Sequence, residues 1–152
     1  MEFLAELHPR IVHFPIALLC TYSLLEIIGI IFNKGSISKT AHIILLLGVI
    51  AAFFAVLSGN EAFAAYKFWT NAGKEVYNQH KTFANLTIWF AALVLVLRTY
   101  LVIKKKFNGI LKYIFILSAV VVVYFVIQTG EYGGDLVYKH GVGIETNLPD
   151  GK

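Results

Sequence analysis

Histidine is the residue type in this chain best suited to bind a metal, and its placement is uneven. His8 and His13 lie in LHPRIVHFPIALL, His80 lies in VYNQHKTFANL and His140 lies in YGGDLVYKHGVGIE. The neutral imidazole ring is the commonest metal ligand among side chains. Two imidazoles facing each other from different helices suit a b-type haem, whereas a bare transition-metal ion needs three or four converging ligands. The choice between these sites depends on the elements that position the rings.

The composition indicates an integral membrane protein. Hydrophobic residues make up 58% of the 152 residues and charged residues 14%, with a mean hydropathy of +0.71. A soluble domain has about a quarter of its residues charged, so most of this surface must face lipid. The lysines lie in short loops between apolar runs, a pattern that excludes a nucleic-acid-binding face. The single cysteine, Cys20, excludes an internal disulfide, and the lack of CxxCH excludes covalently attached haem.

Four apolar stretches predict an all-α bundle of four membrane-spanning helices in a single domain over residues 1–152. Each stretch is close to the ~20 residues that cross the hydrocarbon of a bilayer. The first is too long, and lacks the basic front and cleavage site, to be a removed signal peptide. A polar connection over 59–81 and a tail over 130–152 are predicted outside the bundle. The predicted helices cover residues 11–32, 42–58, 83–103 and 110–127.

The short loops predict the orientation in the membrane. The loops after the first and third helices carry lysines and no acidic residue. Short, basic loops are typical of the cytoplasmic side. Both termini are therefore predicted on the outer side of a bacterial inner membrane. Four histidines then lie at the outer end of the bundle, and His42 lies at the inner end as an ordinary interfacial residue.

The positions of His13 and His80 predict that they form a haem ligand pair. His13 lies at the start of the first helix and His80 at the start of the third, each within about a turn of the apolar boundary. If the first helix begins near His13, then Pro15 lies in its first turn, where its missing N–H costs nothing. If the helix begins at Pro9, Pro15 kinks it and frees the Ile11 carbonyl. Either arrangement bends the backbone near His13 and can direct its ring inward.

The other two outer histidines are predicted at the rim of the same site. His140 lies beyond the fourth helix, and Gly133 and Gly134 offer a point where the chain can bend back. His8 and His140 would bind the haem propionates or ligate a second haem. The alternative for any of these histidines is a hydrogen bond to lipid headgroups, water or loop carbonyls.

Glu26 and Arg98 form an oppositely charged pair inside the predicted spans, both ~9 Å from the inner boundary at 1.5 Å per residue. An isolated charge there costs at least about 2.5–3.5 kcal/mol, so a structural ion pair is predicted. A proton relay is the alternative, and Arg98 could instead extend to the lysine-rich loop.

The two end motifs, LHPRIVHFPIALL and GGDLVYKHGVGI, resemble those of a bacterial four-helix membrane family catalogued as domain of unknown function twenty-two thirty-one. The resemblance covers nearly the whole chain. Related domains occur beside cytochrome c-type modules, which implies a haem or redox setting. Where some relatives carry another histidine before the double glycine, this chain has Glu131 and Tyr132. The family's marked positions fall on His8, Pro9, His13, Phe14, Pro15, His80, Arg98, Gly133, Gly134, His140 and Gly141.

The leading hypothesis is a haem b protein that transfers electrons near the periplasmic face, as a subunit of a larger redox complex. Its partners would be a periplasmic cytochrome c or a respiratory membrane complex, and it would have no enzymatic activity of its own. One alternative is a non-redox structural or assembly subunit. Another is a bare metal-binding protein that uses His8, His13, His80 and His140.

Overall fold

The computed structural model describes residues 2–143 and places nearly all of them in helices. The predicted tail over 130–152 therefore lies partly outside the described residues. Five helices are formed, and the first two follow each other almost without a break. They are α1 (Glu2–Ile11), α2 (His13–Ile31), α3 (Gly35–Ala65), α4 (Asn71–Ile103) and α5 (Leu111–Tyr138).

Four segments of the described chain are long and apolar enough to cross a membrane, which confirms the predicted all-α class with four spans. The first segment combines α1 and α2, and the others coincide with α3, α4 and α5. Backbone N–H and C=O groups cannot remain unpaired in hydrocarbon, so a helix is the form in which such a segment crosses. The spans cover Phe3–Ile31, Gly35–Ala65, Asn71–Ile103 and Leu111–Tyr138.

The helices extend further than the apolar stretches that predicted them. The helical chain begins with α1 at Glu2 rather than at 11, α4 begins at Asn71 rather than 83, and α5 runs to Tyr138 rather than 127. Most of the polar connection over 59–81 is therefore helical. The reason is that hydropathy reports the part of a helix that lies in hydrocarbon, whereas intrahelical hydrogen bonds continue through polar residues beyond it.

The interruption between α1 and α2 is explained by Pro15. Proline has no N–H, so the Ile11 carbonyl four residues earlier loses its helical partner. Val12 keeps a helical conformation (φ −61°, ψ −25°), and its N–H still donates to the His8 carbonyl at 3.1 Å. The chain therefore keeps its helical direction through Val12 and His13, and the helix is interrupted only locally.

Each of the four long helices contacts two neighbours, in the cyclic order α2, α3, α4, α5. Within residues 2–143, the backbones of the diagonal pairs α2–α4 and α3–α5 do not approach each other closely, and α1 packs on α3 and α2. One end of this bundle holds α1, the 66–70 loop and the end of α5, and is called the terminal end below. The opposite end holds the 32–34 and 104–110 loops and is called the basic-loop end.

Small residues allow α2 and α3 to approach closely along the core. Gly48 is buried against Leu19, and a Cβ at Gly48 would lie 2.8 Å from Leu19 Cδ2. Gly29 lies against the start of α3, where a Cβ would lie 2.9 Å from the Ser38 nitrogen. Close backbone approach through small residues is how helices gain van der Waals contact in lipid. Apolar residues fill the middle of the bundle, including Leu19, Leu45, Ala91, Val94, Ala119 and Val122.

Candidate functional site

His8 is held inside the terminal end of the bundle by α3. Its Nδ1 lies 2.9 Å from Ser58 Oγ. The Ser58 hydroxyl donates its one proton to the Ala55 carbonyl at 3.0 Å, so it accepts a hydrogen bond from His8 Nδ1–H. The ring lies against Gly59, where a Cβ would be 2.9 Å from His8 Cε1. The glycine therefore provides the space that the imidazole occupies.

His80 is held in the same manner by α5. Its Nδ1 donates to the Thr129 carbonyl at 2.9 Å, because a carbonyl oxygen can only accept. The ring lies against Gly133, where a Cβ would be 3.2 Å from His80 Cε1. The Thr129 hydroxyl donates to the Phe125 carbonyl and lies 3.2 Å from the hydroxyl of Thr87 on α4. The α4–α5 interface thus fixes both the ring orientation and the tautomer.

The His8 and His80 rings are close enough to interact electrostatically. In both rings Nδ1 carries the proton, so Nε2 of the neutral ring keeps its lone pair. Neither Nε2 has a hydrogen-bond partner among residues 2–143. An Nδ1–H bond to the protein that leaves Nε2 available is the usual support of a metal-ligating histidine.

Four aromatic residues close the terminal end above the histidines and are called the aromatic cap. Phe63 stacks on Tyr77 with ring centroids 3.9 Å apart, and Trp69 lies 4.9 Å from Phe63. Tyr66 meets Trp69 edge to face at 5.0 Å. Phe63 follows Gly59 by about one turn on α3, and Tyr77 precedes His80 by about one turn on α4. The cap therefore lies between the histidine pair and the polar surface.

A family model described as "Predicted membrane protein (DUF2231)" matches residues 5–146. The chain belongs to the DUF2231 family. The match confirms the resemblance inferred from the end motifs and includes every histidine of the chain. No curated protein and no solved structure matches the chain.

The structure of this DUF2231 protein does not bring His13 to His80. His13 is exposed at the start of α2, whereas the His80 ring is held between α4 and α5 by its bond to the Thr129 carbonyl. The inward face of α2 begins at buried Pro15, and His13 lies two residues earlier, about 200° around the helix. His8 lies seven residues before Pro15, close to two full turns, and therefore shares the inward face. His8 therefore faces the inside of the bundle at the end where His80 lies.

The double glycine of this DUF2231 protein does not bend the chain. Gly133 and Gly134 both lie within α5, and the chain turns after Tyr138, with Gly141 at φ +65°. His140 packs on the start of α4, where its Cγ and Nδ1 would lie 3.7 Å from a Cβ at Gly73. Among the described residues, no three histidine, cysteine or acidic side chains form a group that could hold a metal ion. The arrangement of four histidines around one bare ion is therefore not present there.

The remaining two predicted features lie at the basic-loop end. His42 Nε2 lies 2.9 Å from Thr99 Oγ1, which joins α3 to α4. Glu26 and Arg98 form an ion pair through Oε1 and Nη1, and both residues are buried. Arg98 Nη2 also donates to the Ser38 carbonyl at 2.6 Å and to the Ser38 hydroxyl at 2.9 Å. These contacts join α2, α3 and α4 at one point.

Sequence reasoning missed the residues that orient the two rings, Ser58 and Thr129. It also placed His8 outside the helix, because two prolines and several polar residues surround it. A detectable signal was present: His8, Pro15 and Leu19 recur at helical spacing, as do the inward residues of α4. The inward residues of α4 include Gly73, Tyr77, His80, Thr87, Ala91, Val94 and Arg98.

Proposed function

We propose that this protein binds one haem b between His8 and His80 and transfers electrons at the terminal end of the bundle. The observation that carries the proposal is the state of the two rings. Each commits its Nδ1–H to the protein, to Ser58 Oγ or the Thr129 carbonyl, and each leaves its Nε2 lone pair available. Two such nitrogens are what the axial positions of a haem iron require.

Haem fits this ligand set better than a bare ion. A bare transition-metal ion requires three or four protein ligands, whereas haem iron brings four porphyrin nitrogens and needs two more. Among the described residues, the backbones of the helices that carry the rings, α1 and α4, do not approach each other closely. The aromatic cap near the rings provides apolar side chains of the kind that surround a porphyrin.

The bound haem would supply one-electron transfer, and bis-histidine ligation would leave no iron position open for oxygen chemistry. The protein's own contribution is to hold both imidazoles in the Nδ1–H tautomer and to restrict water through the aromatic cap. His140 at the start of α4 lies at the same end. Exchange of electrons with a partner would take place across this surface.

We further propose that the terminal end faces the periplasm of a bacterial cell. The loops at the opposite end carry Lys34 and the run Lys104, Lys105 and Lys106 without acidic residues, the usual mark of the cytoplasmic side. A partner would then be a periplasmic electron carrier such as a cytochrome c, or a membrane redox complex.

The test is the absorption spectrum of protein produced with ample haem. The expected spectrum is that of a six-coordinate, low-spin b-type haem with sharp α and β bands after reduction. His8→Ala and His80→Ala should each abolish or convert this spectrum. The matched controls are His13→Ala and His42→Ala, which remove histidines outside the pair and should leave it unchanged.

A folded wild-type protein that stays colourless after haem reconstitution would overturn the haem proposal. The function would then be that of a non-redox assembly subunit. Loss of the spectrum in His13→Ala with retention in His8→Ala would instead return the ligand role to His13.

A further inference from the structure

Three buried polar side chains meet at the basic-loop end, far from the histidine pair. Tyr22 and Glu26 lie one turn apart on the inward face of α2, and both are 0% exposed. Arg98 of α4 is 1% exposed, forms the ion pair with Glu26 and interacts electrostatically with Tyr22. The face of its guanidinium lies 4.4 Å from the ring centroid of Phe107, which folds in from the 104–110 loop. The three side chains, Tyr22, Glu26 and Arg98, are called the inner cluster.

Each member of the inner cluster has one polar atom that the surrounding protein does not satisfy. Tyr22 Oη, Glu26 Oε2 and Arg98 Nε are buried and have no hydrogen-bond partner among residues 2–143. Buried polar atoms in folded proteins are almost always paired, either with protein groups or with ordered water. Three such atoms within one connected cluster therefore point to a small ligand.

The chemistry of the three atoms restricts what that ligand can be. Glu26 Oε2 accepts hydrogen bonds, Arg98 Nε–H donates, and the Tyr22 hydroxyl can do both. The ion pair is neutral overall, so a bound anion would be repelled by Glu26 and a bound cation by Arg98. The cluster is closed to the surface, which excludes a lipid headgroup. A small neutral molecule that both donates and accepts meets these conditions.

We propose that the inner cluster binds internal water, hydrogen-bonded to Tyr22 Oη, Glu26 Oε2 and Arg98 Nε. The water satisfies the second carboxylate oxygen of Glu26, which the direct ion pair leaves unpaired. It also connects Glu26 to Tyr22 through hydrogen bonds inside the hydrocarbon layer. The proposal is independent of the haem site, which lies at the opposite end of the bundle.

The first test is Tyr22→Phe, which removes one hydroxyl and preserves the shape of the ring. If water bridges Tyr22 to Glu26, the variant loses a satisfied hydrogen bond, and the melting temperature should fall by about 2–6 °C. If the hydroxyl is unsatisfied, its removal should leave the melting temperature unchanged or raise it, and that result would overturn the proposal. Tyr124→Phe is the matched control, because Tyr124 is 52% exposed and should show no such loss.

The second test separates bridging water from a direct bond between the side chains. An experimental structure at a resolution that resolves ordered water should show density within about 2.5–3.2 Å of Tyr22 Oη and Glu26 Oε2. In Tyr22→Phe that density should weaken or disappear. A direct Tyr22–Glu26 hydrogen bond with no water in the cluster would contradict the proposal, even if the stability loss were observed.

Discussion

The ion pair between Glu26 and Arg98 makes a quantitative prediction about stability. Arg98→Leu removes the charge partner of a buried carboxylate. It also removes the hydrogen bond that Arg98 Nη2 donates to the Ser38 carbonyl oxygen at 2.6 Å. Glu26→Gln removes the opposite charge and leaves the guanidinium uncompensated. We expect each single variant to be destabilised, and the double variant to be destabilised by less than the sum. The reason is that the second substitution removes the charge that the first left unpaired.

The expected magnitude follows from the burial of both partners. Removing one partner of a buried ion pair costs about 3–5 kcal/mol. For a chain of this size each kcal/mol lowers the melting temperature by about 2–4 °C, so each single variant should melt roughly 6–20 °C lower. The destabilisation caused by Glu26→Gln should lie at the lower end of this range, because the amide oxygen can still accept a hydrogen bond from Arg98. The double variant should recover at least ~2 kcal/mol relative to the sum.

The assay is thermal unfolding of the purified protein in detergent, with the four proteins of the double-mutant cycle measured together. The control cycle uses Asp135→Asn and Lys139→Leu, which break an exposed pair one turn apart on α5 with an N–O distance of 2.8 Å. Exposed pairs of this type contribute about 0.3–0.5 kcal/mol, so the control should change the melting temperature little. Additivity of the Glu26 and Arg98 effects within ~0.5 kcal/mol would refute the contact.

Two further predictions concern topology and the histidine pair. Asn108→Cys, made after replacing Cys20, should be protected from a membrane-impermeant thiol reagent in intact cells and labelled once they are permeabilised; labelling in intact cells would reverse the orientation. Gly59→Ala places a methyl group 2.9 Å from His8 Cε1 and should cost about 1–3 kcal/mol by displacing the ring from Ser58. The control is Gly130→Ala, at a helical position with nothing within 4 Å of the added Cβ, and it should raise stability slightly. Equal effects of the two variants would argue against the packing of His8 on α3.

The sequence alone determined the class of the protein, the four spans and the family. These properties follow from quantities that do not depend on how the helices are rotated. Mean hydropathy and the length of apolar stretches report the transfer of segments into lipid, and the end motifs identify the family by residue order. The same reasoning also placed Glu26 and Arg98 at similar depth, because depth depends only on the count of residues along a helix.

Only the tertiary structure decided which side chains face each other. His8 and His13 are both near the start of the first span, and hydropathy does not distinguish them. The rotation of the first span is set by packing of Pro15 and Leu19 against the neighbouring helices, and it turns His8 inward and leaves His13 exposed. The Ser58 hydroxyl that orients His8 lies fifty positions away along the chain. Such a contact arises when α1 packs on α3 through Gly59, because side-chain orientation is a property of the assembled bundle and not of one helix.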